Sequence, residues 1–180
     1  MNKKQLHSNF IAIIIVVIAI FVDQWTKWLA IVHLKGQSAI ELVKNVFELH
    51  YLENKGAAFG IMQNQQVFFL VSGVFILVVA SYIYQKMPQT KRFLLLRLCM
   101  ILIASGAIGN MIDRLRFQYV IDFLYFKLID FPIFNVADIY VTVAAIGLIV
   151  LILFFYKDEE VDDLFSNISI KIKKQEKCDE

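Results

Sequence analysis

The chain has 180 residues, of which 59% are hydrophobic and 19% are charged. Soluble domains rarely exceed about half apolar residues, so this composition indicates an integral membrane protein rather than a large soluble core. The net charge of +2 gives no reason to expect a nucleic-acid partner. The two cysteines and three histidines are scattered without metal-ligand spacing, so we expect no metal site and no disulfide.

Four stretches are long enough to cross a bilayer as helices, which takes about 20 residues. They cover residues 10–32, 67–84, 93–112 and 133–156. We interpret the first as a retained span rather than a cleaved signal peptide, because no small-x-small cleavage site follows it. The chain continues instead through Trp25 and Trp28, which suit a membrane interface.

The short basic segments predict the orientation of these spans. They precede the first span and separate the second from the third, with Lys3, Lys4, Lys86, Lys91 and Arg92. By the positive-inside rule both segments, and with them both termini, should be cytoplasmic. Residues 33–66 and 113–132 should then face outward.

The outer and tail segments have different compositions. Residues 41–53 are rich in Val, Phe, Leu and Tyr with partial polar–apolar alternation, which predicts one or two strands at the membrane surface, within an outer β segment of about 35–60. Residues 157–180 are highly charged and predict a solvated, partly disordered cytoplasmic tail. Residues 1–156 should form one membrane domain.

Two aspartates at the outer end, Asp122 and Asp138, have no obvious basic partner on the same helical face. A carboxylate at a membrane face is costly to keep charged. The Phe-rich run 123–134 should return the chain to the membrane, so both aspartates lie on one face and could share a proton, as in aspartic proteases. Taken singly, Asp138 also fits a helix N-terminus and Asp122 an exposed loop.

Further polar residues gather on the same outer side. Asp23 and Lys27 lie four apart on one helix and should form an ion pair; Asp113 could pair with Lys27, Arg114 or Arg116. Asn54 begins a run of small residues that could either admit a peptide or form a tight turn. The remaining outer polar residues are Asn110, Arg114 and Asn135, whereas the inner ends of the spans show only basic residues and tails.

Together these motifs resemble those of the bacterial lipoprotein signal peptidases, also called signal peptidase II. The resemblance covers residues 8–156. Its motifs are Asp23-Gln24 with Lys27, Asn54-x-Gly56-Ala57-Ala58-Phe59-Gly60, Gly109-Asn110-x-x-Asp113-Arg114, Val120-x-Asp122-Phe123 and Phe134-Asn135-x-Ala137-Asp138. The chain departs from the family at Ile139, where serine is common, and at Ala144, where glycine is common.

The resemblance implies an all-α membrane protein with four transmembrane helices, a small extracytoplasmic β-sheet and both termini cytoplasmic. It implies a catalytic dyad of Asp122 and Asp138. The residues implied to contact the substrate or orient the dyad are Asn54, Gly56, Asn110, Arg114 and Asn135. Those implied to give structural support are Asp23, Lys27 and Asp113.

By the same resemblance, the protein is an aspartic endopeptidase of the bacterial cytoplasmic (inner) membrane, with its active site at the extracytoplasmic face. Its substrates are prolipoproteins whose lipobox cysteine carries diacylglycerol, and it cleaves just before that cysteine. It needs no metal or organic cofactor. Its other partners are membrane lipids, and we expect a monomer.

Two other functions fit part of the pattern. A small proton-coupled transporter, with Asp138 and Asp23 as proton carriers, explains four spans and intramembrane acids, but transporters place such groups near the bilayer midplane. A non-enzymatic membrane scaffold leaves Asp122 and Asp138 without a purpose. Accessibility of the carboxylates from both sides would favour the transporter, and harmless replacement by asparagine would favour the scaffold.

Overall fold

The computed structural model describes residues 3–56, 65–157, 159–162 and 166. The helices are α1 (Lys3–Leu34), α2 (Gln66–Lys86), α3 (Leu94–Phe117) and α4 (Val136–Val150), the last continuing as a π-helix over Leu151–Phe155. The strands are β1 (Ile40–Val43), β2 (Phe47–Asn54) and β3 (Val120–Tyr125). Short 3-10 turns lie at Lys91–Phe93 and Lys127–Ile129.

The four predicted spans are confirmed, since the described residues contain four helices long and apolar enough to cross a membrane. Large apolar side chains along these helices point away from the protein, among them Phe21, Phe75 and Phe154. Such exposure suits lipid rather than water. Helix α3 extends beyond the predicted end at residue 112 to Phe117 and ends at Gln118, whose φ of 66° is left-handed.

Helix α3 is central, and α1, α2 and α4 all pack against it. Small residues allow this close approach, as the Gly106-Ala107 pair in the sequence predicts. A Cβ added at Gly106 would lie 2.5 Å from the carbonyl oxygen of Ala137 on α4. A Cβ added at Gly109 would lie 2.5 Å from Oδ2 of Asp23 on α1.

The sheet is antiparallel with the order β1-β2-β3. The prediction of strands within residues 41–53 is confirmed for β1 and β2. Strand β3 (Val120–Tyr125) is not predicted from the sequence, which indicates strands only within the outer β segment of about 35–60. Its residues from Val120 to Phe123 are all buried, so no polar–apolar alternation marks a strand, and pairing with β2 defines it.

The end of the bundle opposite the sheet is also more polar than predicted. There Arg97 on α3, only 7% exposed, donates to the hydroxyls of Ser8 on α1 and Tyr84 on α2. Gln5 on α1 donates to Gln85 on α2 at 2.9 Å. Hydropathy alone could not show that these scattered residues meet, because they come from three different helices.

Two predictions fall wholly or partly outside the described residues. The motif run Ala57 to Gly60 lies outside them, as does most of the tail after residue 157. Near the tail, Arg92 forms an ion pair with Glu160 at 2.9 Å. The cytoplasmic location of the termini and the boundary between domain and tail stay predictions.

We predict that Gly106→Ala lowers both stability and activity. Its Cβ would press on the backbone of Ala137, which adjoins Asp138, so α4 must move; overpacking of this kind typically costs about 1–3 kcal/mol. Gly147→Ala is the matched control, because its Cβ would meet only the Cys99 sulfur at 3.2 Å. Thermal unfolding in detergent compares the stability of the two variants, and a cleavage assay compares their activity. Equal melting temperatures for the two variants would contradict the prediction.

Candidate active site

Asp122 and Asp138 are brought to one site by β3 and α4. Asp122 lies in the middle of β3, opposite Leu52 of β2, and is 1% exposed. It is therefore not an exposed loop carboxylate. Asp138 lies in the first turn of α4, where it forms a capping box with Asn135. The Asn135 side chain accepts from the Asp138 backbone N–H at 3.1 Å, and the Asp138 carboxylate accepts from the Asn135 N–H at 3.2 Å.

Two asparagine amides hold the Asp122 carboxylate. Asn54, the last residue of β2, donates to Oδ2 at 2.7 Å, and Asn135 donates to Oδ1 at 2.6 Å. Each oxygen thus has one neutral donor, and the described residues place no ion-pairing cation within 4.0 Å of either. Neutral donors orient a carboxylate without forcing it to ionise as a close cation would.

Asn110 connects Asp138 to Asn135. Its Nδ2 donates to Oδ1 of Asp138 at 2.8 Å, and its Oδ1 accepts from Nδ2 of Asn135 at 3.1 Å. Asn135 is fully buried and does not line the cavity described below. Its position suits orientation of both aspartates, whereas the sequence had also left direct contact with the substrate open.

The surroundings of Asp122 raise its pKa from the ordinary value of 3.8 to about 7. Burial is the largest cause, because it disfavours the charged form, and the nearby negative charge of Asp138 adds to it. The hydrogen bonds from Asn54 and Asn135 act in the opposite direction. Near neutral pH the Asp122 carboxyl group can therefore hold a proton.

A buried ion cluster lies beneath the two aspartates. Lys27 contacts Asp23 at 3.0 Å and Asp113 at 2.9 Å, and all three side chains are at most 2% exposed. Lys27 also donates to Oδ1 of Asn110 at 2.9 Å. The Asp23–Lys27 pair predicted from their spacing is present, and Asp113 pairs with Lys27 rather than with Arg114 or Arg116.

The same cluster holds the backbone next to each aspartate. Oδ1 of Asp23 accepts from the N–H of Ala137 at 2.9 Å, one residue before Asp138. Oδ2 of Asp113 accepts from the N–H of Ile121 at 3.2 Å, one residue before Asp122. The ion cluster therefore sets the relative position of β3 and α4, and with it that of the two carboxylates.

Arg114 lies beside the aspartates with much of its donor capacity unused. Its guanidinium stacks over the Phe69 ring at 4.6 Å. Its two hydrogen bonds, to the carbonyl oxygens of Asn110 and Gly56, are long at 3.5 Å. Because it forms no ion pair among the described residues, Arg114 can offer several N–H groups to a bound carbonyl or carboxylate.

A cavity of about 560 Å³ opens onto these groups. Its polar end is lined by Asn54, Gly56, Asn110, Arg114, Asp122 and Asp138. Its remaining walls are largely apolar, with Phe126, Ile129, Phe131, Phe134 and Val143. A second groove of about 270 Å³, lined by Phe69, Gly73 and Met111, reaches the same Asn110, Arg114 and Asp138.

Two contributors were not assigned from the sequence. Gln24 donates to Asp113 at 2.8 Å and to the carbonyl oxygen of Gly109 at 3.2 Å, so it joins α1 to α3. Its position next to Asp23 in an otherwise apolar span could have indicated this role. Thr142 lines both the cavity and the second groove, and its spacing of four from Asp138 could have placed it on that face.

Comparison with known proteins agrees with this geometry. The model of a family described as signal peptidase (SPase) II matches residues 15–155. The chain belongs to the signal peptidase II family. It is 41% identical to the lipoprotein signal peptidase of Streptococcus thermophilus over 150 residues, which cover 83% of this chain and 95% of that protein. It is also 41% identical to that of Clostridium tetani over 155 residues, covering 84% and 96%.

Solved structures support the same assignment. A bacterial membrane enzyme determined by the in meso method at 2.3 Å resolution is similar with a TM-score of 0.71 and 31% identity, over 79% of this chain and 87% of that one. A second, at 1.9 Å, has a TM-score of 0.68 and 30% identity, over 81% and 94%. The resemblance seen in the motifs is thus confirmed. As a signal peptidase II family member, the chain is a multi-pass membrane peptidase that removes signal peptides from prolipoproteins.

We predict that Lys27→Met destabilises the protein strongly. It would leave Asp23 and Asp113 buried without a cation, a loss that typically costs about 3–5 kcal/mol. Lys35→Met is the control, because its ion pair with Glu53 is solvent-exposed and should contribute little. Chemical unfolding in detergent micelles compares them, and similar unfolding midpoints would show that the cluster is not the support inferred here.

Proposed function

We propose that the chain is an aspartic endopeptidase that cleaves diacylglyceryl-modified prolipoproteins just before the lipidated cysteine, with Asp122 and Asp138 as its catalytic pair. The observation that carries the proposal is the environment of Asp122. It is a buried carboxyl group at the polar end of an otherwise apolar cavity, its pKa is raised to about 7, and Asn135 links it to a second carboxylate.

In the proposed mechanism Asp138 is the general base and Asp122 the general acid. Asp138, ionised at the start of α4, takes a proton from a water molecule as the water oxygen attacks the scissile carbonyl carbon. Asp122 gives its proton to the carbonyl oxygen, which yields a neutral tetrahedral intermediate. Asp138 then protonates the leaving nitrogen while Asp122 recovers the hydroxyl proton, and the C–N bond breaks.

The division of roles follows from the contacts of each carboxylate. Asp122 keeps its proton because burial and the charge of Asp138 disfavour its ionised form. Asp138 accepts a backbone N–H within the first turn of α4 and an amide N–H from Asn110, and these contacts hold its carboxylate in the lining of the cavity. The pair thus starts with one proton and ends each turnover with one.

Substrate contacts can be proposed from the lining of the cavity. Asn54, Gly56 and Arg114 lie beside the dyad, where polar groups of an extended peptide would pass. The cavity wall around Phe131 and the second groove at Phe69 and Met111 meet at Asp138. These two apolar paths would let acyl chains and the hydrophobic signal segment leave the reaction centre in different directions.

The proposed location is the bacterial cytoplasmic membrane, with the active site at its outer face. Lys91 and Arg92 lie at the end of the bundle opposite the sheet, as the positive-inside rule requires of a cytoplasmic end. The exposed Trp25 and Trp28 lie in the half of α1 nearer the sheet and suit the outer interface. The sheet and the dyad would then face the side on which lipoproteins are matured.

The transporter alternative is less well supported. Its second proton carrier, Asp23, is fully buried, paired with Lys27 and bonded to the N–H of Ala137. A carboxylate held by contacts within α1 and from α4 in this way is not placed to face each side of a membrane in turn. The two members of the dyad are instead together at one end of the bundle.

We expect Asp122→Asn and Asp138→Asn each to lower cleavage of a diacylglyceryl-modified prolipoprotein at least about a hundredfold, because general acid or base catalysis is lost. Asp130→Asn is the matched control. Asp130 belongs to the same outer segment, but among the described residues its carboxylate accepts only from Tyr125, at 2.5 Å, and its left-handed φ of 48° suits asparagine. Retained cleavage by either dyad variant, with a normal melting temperature, would refute the dyad.

Cleavage should also weaken as the pH rises through about 7. Because the folded-state pKa of Asp122 is raised, its proton is present below that pH and is lost above it. A required proton predicts a fall of about tenfold in kcat/KM for each pH unit beyond that point. The profile should be the same for Asp130→Asn. A constant kcat/KM between pH 6 and 9 would show that Asp122 does not act as the acid.

A further inference from the structure

Arg97 is a buried cation without a carboxylate partner in the part of the chain that the structure describes. It is 7% exposed and lies in α3 near the end opposite the sheet. Its Nη2 donates to the hydroxyls of Tyr84 and Ser8, and its guanidinium lies 4.6 Å from the centre of the Tyr84 ring. No described Asp or Glu lies within ion-pair distance, and its buried Nε has no hydrogen-bond partner. Buried charges are normally paired, so this one calls for a counter-charge.

An apolar groove of about 320 Å³ is lined in part by Tyr84, the residue against which the Arg97 guanidinium packs. It runs between α1 and α2, which both pack on α3, and α3 supplies its floor with Met100, Ile101 and Ala104. Its walls come from apolar residues such as Val17 of α1 and Leu77 of α2. The groove shares no lining residue with the cavity at the aspartate dyad.

The groove becomes polar at one end, where Tyr84 connects it to Arg97. Asn9, Tyr84 and Gln85 line it, and Tyr84 is the same residue that accepts from the guanidinium at 2.5 Å. Gln85 accepts from the amide of Asn9 at 3.4 Å. The groove is apolar along most of its length and has amide and hydroxyl groups at one end, with a cation behind Tyr84. This arrangement is complementary to a phospholipid, which has apolar acyl chains and a polar headgroup.

We propose that this groove binds an anionic glycerophospholipid. One acyl chain lies along the apolar groove between α1 and α2, and the phosphate lies at its polar end, where Arg97 supplies the positive charge and Asn9 and Gln85 supply amide N–H donors. Basic pockets between transmembrane helices commonly bind anionic headgroups. The exposed Lys3 and Lys91 at the same end of the bundle add to the attraction.

The proposal does not depend on the peptidase mechanism, because the dyad lies at the sheet end and the groove at the opposite end. It also differs from a plain anion site. Inorganic phosphate has no acyl chain, so apolar contacts with the groove cannot strengthen its binding. A lipid without net charge can make those apolar contacts but is not attracted by the charge of Arg97. These two differences define the measurement.

The test is native mass spectrometry of the delipidated full-length protein with phosphatidylglycerol, phosphatidylcholine of identical chains, and inorganic phosphate. One basic side chain is worth about 1 kcal/mol toward an anionic lipid, so the wild type should bind phosphatidylglycerol about fivefold more tightly than phosphatidylcholine. Excess inorganic phosphate should not displace it. Arg97→Gln should lose this preference while still binding phosphatidylcholine.

Two further variants separate the groove from the charge. Ala104→Phe fills the floor of the groove and should weaken binding of both lipids, whereas Ile18→Phe, on the exposed face of α1 outside the groove, should weaken neither. Arg92→Gln is the charge control, since Arg92 contacts Phe155 and Glu160 instead of the groove. It should keep the preference for phosphatidylglycerol.

Several results would overturn the proposal. They are equal binding of the two lipids by the wild type, a preference that survives Arg97→Gln, and displacement of the lipid by inorganic phosphate. If Arg97→Gln does not fold, Ala104→Phe and Ile18→Phe still decide the question. Unchanged lipid binding in Ala104→Phe, with a wild-type melting temperature, would show that Arg97, Tyr84 and Ser8 only connect the helices.

Discussion

The pairing of buried Lys27 with Asp23 and Asp113 is the interaction on which the rest of the structure depends. Three charged groups are taken out of water, which is tolerable only when each has close partners. Asp23 accepts from the backbone N–H of Ala137 with its other oxygen, and Asp113 accepts from the N–H of Ile121 with the same Oδ2 that contacts Lys27. The hydrogen bonds that these buried carboxylates accept therefore hold α4 and β3 in position.

That constraint explains how two carboxylates from separate elements stay together. Ile121 and Ala137 each precede one member of the dyad, so the ion cluster holds both aspartates through the backbone. Asn110 adds a side-chain path, because it accepts from Lys27 and donates to Asp138. The close approach at Gly106 is needed for the same reason, since any added atom there would push α4 away from α3.

Three buried aspartates, Asp23, Asp113 and Asp122, thus divide into two kinds within one end of the bundle. Asp23 and Asp113 have a lysine between them and serve to hold the fold. Asp122 has only amide donors and a neighbouring carboxylate, so it retains a proton to near neutral pH. The chemical difference comes from the partner each carboxylate meets. At the other end, Arg97 is the reverse case, a buried cation whose described neighbours supply hydroxyl groups and an aromatic ring.

The sequence by itself determined the four spans and the β1 and β2 region and indicated the candidate site residues, because hydropathy, helical spacing and short motifs are local properties. The spacing of Asp23 and Lys27 was enough to predict their pair, and the motifs were enough to indicate the family. Only the tertiary structure decided that residues 120–125 form a strand and that Asp113 pairs with Lys27. It also decided that Asn135 contacts Asp122 without lining the cavity. It also brought Ser8, Tyr84 and Arg97 together. These outcomes depend on which elements pack side by side, so no local sequence pattern predicts them. Burial and pairing between distant segments determine that β3 is a strand, that Lys27 is the partner of Asp113 and that the pKa of Asp122 is raised.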